Sequence, residues 1–89
     1  MKEEMRMSNE LERVLETYCR LSSNNTTEPV SFYEVADELG IDESYCKTLT
    51  EHLVMVGYLT DSRSTFPYFC ITSTGRYYLQ SVGSQYIIT

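Results

Sequence analysis

Residues 31–59, SFYEVADELGIDESYCKTLTEHLVMVGYL, restrict the possible folds more than any other stretch of the chain. Ser31 followed three residues later by Glu34 has the form of a capping box, in which a side-chain oxygen and a carboxylate satisfy the free N–H groups of a helix start. Val35, Ala36 and Leu39 then share one helical face. Gly40 suits the left-handed residue that ends a helix, because it has no Cβ to clash. Asp42 can cap a second helix, whose apolar side is expected at Tyr45, Leu49, Leu53 and Val56, with Gly57 ending it. A short helix, a tight turn holding Gly, and a longer second helix together form a helix-turn-helix arrangement.

The flanking segments extend this pattern. Ser8 or Asn9 can cap a first helix, with Glu12 three residues after Asn9, and Leu11, Val14, Leu15, Tyr18 and Leu21 form an apolar stripe along it. Its outer edge, at Cys19, is available to a dimer. Residues 22–29, SSNNTTEP, are rich in turn formers, and Pro29-Val30 marks a very short strand. Residues 58–60 and 66–72 are expected to pair across DSRST as a hairpin. Within it, Phe66, Tyr68 and Cys70 should face one way, and Phe69 and Ile71 the other. Pro67 has no N–H to donate, so it belongs at an edge or a strand start. Thr72 or Ser73 can cap a last helix with Tyr77, Tyr78, Leu79 and Val82 as its apolar surface. The expected boundaries are helices at 8–21, 32–39 and 43–56, a hairpin at 58–72 and a helix from about 74. The expected core is Leu11, Val14, Leu15, Tyr18, Val35, Leu39, Ile41, Leu49, Leu53, Leu59 and Ile71.

Three blocks, EVADELGI (34–41), the segment from Leu49 to Leu59, and ITSTGRYYL (71–79), resemble the winged helix-turn-helix domain of bacterial and archaeal transcription regulators. Several groups of regulators share such blocks, the MarR-like and PadR-like ones among them. The resemblance implies an α+β, mostly helical domain: a three-helix core, a β-hairpin wing and a C-terminal helix. It also implies a homodimer that binds double-stranded DNA. The third helix would enter the major groove with Glu43, Ser44, Lys47, Thr48 and Glu51, while Ser62, Arg63 and Ser64 of the wing would meet phosphate or the minor groove.

Charge distribution points to a different partner. The net charge is −6, and residues 28–51 carry Glu28, Glu34, Asp37, Glu38, Asp42, Glu43 and Glu51 against Lys47 alone. The negative excess lies on the helix-turn-helix itself, the face that DNA binding requires to be cationic. An acidic interaction module that takes a basic protein on the 28–51 face is therefore the alternative reading.

With 89 residues the chain is expected to form one domain, residues 1–7 being a frayed arm. No apolar run reaches 18 residues and no signal-peptide pattern follows Met1, so a soluble, cytoplasmic location with no membrane segment is expected. Cys19, Cys46 and Cys70 are odd in number and scattered, which fits reduced, buried thiols. His52, the only histidine, lies six residues from Cys46 and points elsewhere on a helix, so no metal site is expected. No phosphate-binding Gly loop and no nucleophile–base set is present, and the reading is of a non-enzyme without a cofactor.

Overall fold

Four oxygen-bearing side chains start the four helices seen among the described residues of the computed structural model, which are 8–22, 28–61 and 66–82. Ser8 caps α1 (Asn9–Leu21) by accepting from the Leu11 N–H. Ser31 caps α2 (Phe32–Leu39) through the Tyr33 N–H, and Asp42 caps α3 (Glu43–Met55) through the Tyr45 N–H. Thr72 caps α4 (Ser73–Ser81) through the Gly75 N–H. Ser8 rather than Asn9 therefore begins α1, and Glu12 falls outside a capping box. The end of α2 is as expected: Gly40 adopts φ 69°, and the Ile41 N–H returns to the Ala36 carbonyl at 3.0 Å. α3 stops at Met55 with Val56 as its cap, and Gly57 turns the chain at φ 89°.

Three short strands join the helices among the described residues. β1 (Val30–Ser31), β2 (Leu59–Thr60) and β3 (Tyr68–Ile71) form an antiparallel sheet of order β1-β3-β2. Val30 faces Phe69 and Ser31 faces Tyr68 on one side of β3, while Leu59 faces Ile71 and Thr60 faces Cys70 on the other. Pro67 stands just before β3 and so costs the ladder no donor; its carbonyl accepts the Phe32 N–H at 3.1 Å. The hairpin tip at 62–65 lies outside the described residues. The result is an α+β, mostly helical architecture in which α1 packs against all three other helices and β3.

The core differs from the expected list in ways that have physical causes. Val14, Leu15, Tyr18, Val35, Leu53, Leu59 and Ile71 are buried as expected. Leu11, Leu39, Ile41 and Leu49 are only half-buried and pack against its edge. On α3 the inward face is Cys46, Thr50 and Leu53, whereas Tyr45 and Val56 are exposed by 43% and 46%. That rotation is tolerated because both polar groups find partners. The Tyr18 hydroxyl and Thr50 Oγ1 lie 3.0 Å apart, and Cys46 Sγ donates to the Phe32 carbonyl at 3.5 Å.

Three further expectations are corrected. Cys19 is fully enclosed among core side chains and offers no edge to a partner. The strict alternation expected along β3 fails, because Phe69, Cys70 and Ile71 are all buried in the middle strand of the sheet. On α4, Tyr78 and Leu79 turn inward, and Tyr77 points out with 71% exposure. Tyr78 is held there by donating to buried Glu12 Oε2 at 2.6 Å, which ties α4 to α1. The three cysteines form no disulfide and are buried. No helix among the described residues is long and apolar enough to cross a membrane.

Candidate functional site

The tight turn at Gly40 sets α3 against α2 and leaves the outward side of both helices to solvent. Glu43, Ser44, Thr48 and Glu51 are exposed there, with Lys47 half-buried among them. Lys47 is already engaged, its Nζ lying 3.0 Å from Glu51 Oε2 one helical turn on. Thr48 Oγ1 donates back to the Ser44 carbonyl at 3.1 Å. Five of the residues singled out from the sequence thus share one helix, and two of them are paired with each other. Ser62, Arg63 and Ser64 lie outside the described residues.

Around this helix the exposed charge is negative. Glu34, Asp37, Asp42 and Glu43 are all solvent-exposed. Glu38 is paired with Arg20 of α1 at 2.8 Å, in a surface contact worth little to stability. Lys47 is the one lysine or arginine among the described positions 28–61.

A second feature of this face escaped the sequence reading. Phe32, Tyr33 and Phe66 come together with Glu43, Ser44 and Lys47 around an open recess of about 160 Å³. The Phe32 and Tyr33 ring centroids are 4.3 Å apart, and Phe66 meets Phe32 edge-on at 5.4 Å. Lys47 Nζ lies 6.0 Å from the Phe66 centroid, at the outer limit of a cation–π contact. The hydrogen bond between Phe32 N–H and the Pro67 carbonyl draws Phe66 to the start of α2. The adjacent Phe32-Tyr33 pair was the available signal, but nothing in linear spacing connects it to Phe66.

The buried groups are less suited to chemistry. Burial raises the Cys19 and Cys46 thiols above their ordinary range, which keeps them protonated and poorly nucleophilic. Burial likewise holds the Tyr18 phenol neutral, far above its usual value. Among the described residues no group of three or more His, Cys, Asp or Glu side chains could hold a metal ion. No family model matches this chain, and neither a curated protein nor a solved structure matches it.

Proposed function

We propose that the chain is a winged helix-turn-helix domain acting as an acidic protein-interaction module, with a basic protein docking on the α2–α3 face. The observation that carries this reading is the pairing of Lys47 with Glu51 beside exposed Glu34, Asp37, Asp42 and Glu43. Duplex DNA presents one negative charge per roughly 1.7 Å of its axis, and affinity for it comes largely from Lys and Arg neutralising phosphates. A helix flanked by Glu43 and Glu51 would bring carboxylates toward those phosphates. A basic protein reverses the sign of the interaction, and complementary charge also speeds its encounter. The exposed rings of Tyr33 and Phe66, beside Glu43 and Lys47, add the apolar area that charge alone does not supply.

A DNA-binding transcriptional regulator is the second reading. It is supported by the order of elements: a tightly turned helix pair followed by two strands that frame a wing. In that reading a homodimer would double the few cations available, Lys47 and Arg63 chief among them. Outward-facing Tyr77 on α4 favours a dimer formed by α1, α4 and the tail, residues 84–89.

Fluorescence anisotropy separates the two readings. A labelled basic peptide and a labelled pool of duplexes are titrated with the full chain at about 50 and 200 mM salt. The interaction reading expects peptide binding that weakens with salt and no duplex binding at either concentration. Duplex binding with a steep salt slope, lowered by about one in Lys47→Gln and Arg63→Gln, would instead establish the regulator. Thr48→Ala would then alter sequence preference and leave the slope intact.

A further inference from the structure

We propose that the recess bounded by Phe32, Tyr33 and Phe66 is the anchor site for an arginine side chain of the basic partner; this assignment rests on the α2–α3 face being the docking surface. Aromatic faces carry negative quadrupole charge, and a cation set over them is attracted without needing a formal counterion. Here Tyr33 and Phe66 each meet the Phe32 ring, and the recess that the three line opens to solvent. Tyr33 and Phe66 keep 43% and 59% of their surface exposed, so their faces are available without unfolding any element.

Three aromatic rings and Ser44 line the recess, and Glu43 and Lys47 stand at its rim. Glu43 forms no salt bridge among the described residues. The chain's own Lys47 shows which charge the rings accept, since its ammonium already lies over Phe66 at the distance given above. Lys47 does not block the site. Its side chain is 44% exposed on a flexible stem, and its ammonium is paired with Glu51 Oε2 at 3.0 Å. An incoming cation can take the ring face while Lys47 stays with Glu51.

Arginine fits this arrangement better than lysine. Its guanidinium is planar, weakly hydrated and stacks on rings, and its fork of N–H donors matches a carboxylate such as Glu43 with two parallel hydrogen bonds. An ammonium is a compact, strongly hydrated charge that gives up more solvation on entering an aromatic recess and gains no planar stacking.

The test uses two fluorescein-labelled peptides of equal length and charge, one whose cations are all arginine and one whose cations are all lysine. Both are titrated by anisotropy into the full chain and into Phe66→Ala, Tyr33→Ala, Glu43→Gln and Asp37→Asn, each checked for folding by circular dichroism. Wild type is expected to prefer the arginine peptide by roughly two- to fivefold. Phe66→Ala and Tyr33→Ala should each abolish that preference and keep weaker, salt-sensitive binding of both peptides. Glu43→Gln should weaken the arginine peptide more than the lysine peptide, and Asp37→Asn should weaken the two alike. Equal wild-type affinity for both peptides, or a preference unchanged in both aromatic variants, overturns the assignment and leaves the docking face standing. Binding of neither peptide overturns the docking face and the anchor together.

Discussion

Gly75→Ala tests the packing that seats α4 behind the sheet. A Cβ at this position would lie 2.4 Å from the Tyr58 carbonyl oxygen and 3.1 Å from Ile71 Cγ1. The oxygen belongs to backbone at the entry to β2, so it cannot swing aside as a side chain would. Relieving the clash means moving α4 and that backbone apart by roughly 0.6 Å or more, in an interior with little free volume. The same carbonyl accepts the Thr72 N–H at 3.0 Å, and Thr72 Oγ1 donates to the Gly57 carbonyl at 2.8 Å. The Tyr58 and Tyr78 rings stack at 5.0 Å across the joint. Overpacking of this kind costs about 1–3 kcal/mol, and a weakened hydrogen bond adds about 1 kcal/mol. Against this, alanine gains up to about 1 kcal/mol over glycine in a helix. The net loss is about 1–3 kcal/mol, a fall in melting temperature of roughly 5–20 °C for a domain of this size. Far-UV circular dichroism melts measure it directly. Gly40→Ala is the control, because its Cβ meets nothing within 4 Å and its cost arises only from the positive φ. If Gly75→Ala melts within about 2 °C of wild type, the close approach of α4 to Tyr58 is wrong.

Four further outcomes are expected. Leu53→Ala should cost about 2–5 kcal/mol in urea denaturation and half-buried Leu49→Ala clearly less; equal losses would put the inward face of α3 elsewhere. Thr50→Val strips the buried Tyr18 hydroxyl of its partner and should cost about 1–3 kcal/mol, with Tyr18→Phe in the same chain recovering part of it; no recovery would mean the two groups act independently. Cys19 and Cys46 have thiol pKa values raised by burial from 9.0, so the folded state binds these protons more tightly than the unfolded chain does. Their contribution to stability is complete below the unfolded value and lost as pH rises through the folded one, and a urea midpoint that stays level from about pH 7 to 11 would contradict it. A homodimer built on α1, α4 and the tail predicts sedimentation at twice the single-chain mass, reduced to one chain by deleting residues 84–89; a wild-type monomer at micromolar concentration would end that proposal.

What the sequence made legible was mostly local. Ser31, Gly40, Asp42 and Gly57 act within a few residues of themselves, and each stands where its chemistry places it. The inward face of α3 was misread because Tyr45, Leu49, Leu53 and Val56 recur at helical spacing, while Thr50 carries a hydroxyl that ordinarily belongs in water. What buries Thr50 is the Tyr18 hydroxyl 32 positions away, and no helical spacing contains that partner. Glu12 was read as the capping-box partner of Asn9 for the same reason, its actual partner Tyr78 lying 66 positions on. The α3 residues proposed for recognition do share an exposed side, because they sit on one helix whose cap was readable. Their pairing, Lys47 with Glu51, follows from the four-residue spacing and could have been anticipated. The aromatic recess depends on a backbone hydrogen bond between Phe32 and Pro67, which spacing alone does not reveal.

The strand order has a consequence for how the chain is made. The middle strand is the last of the three to leave the ribosome, so the sheet cannot close until Ile71 has been synthesised. A nascent chain ending at residue 61 carries both outer strands with no strand between them, and their unpaired N–H and C=O groups are open to any passing β-edge. The remainder, beginning at residue 66, brings β3 and α4 but none of the helices on which they rest. Cutting the chain between residues 61 and 66 therefore yields two pieces that each lack what the other holds, a natural division for a split reporter in which refolding signals that two fused proteins have met.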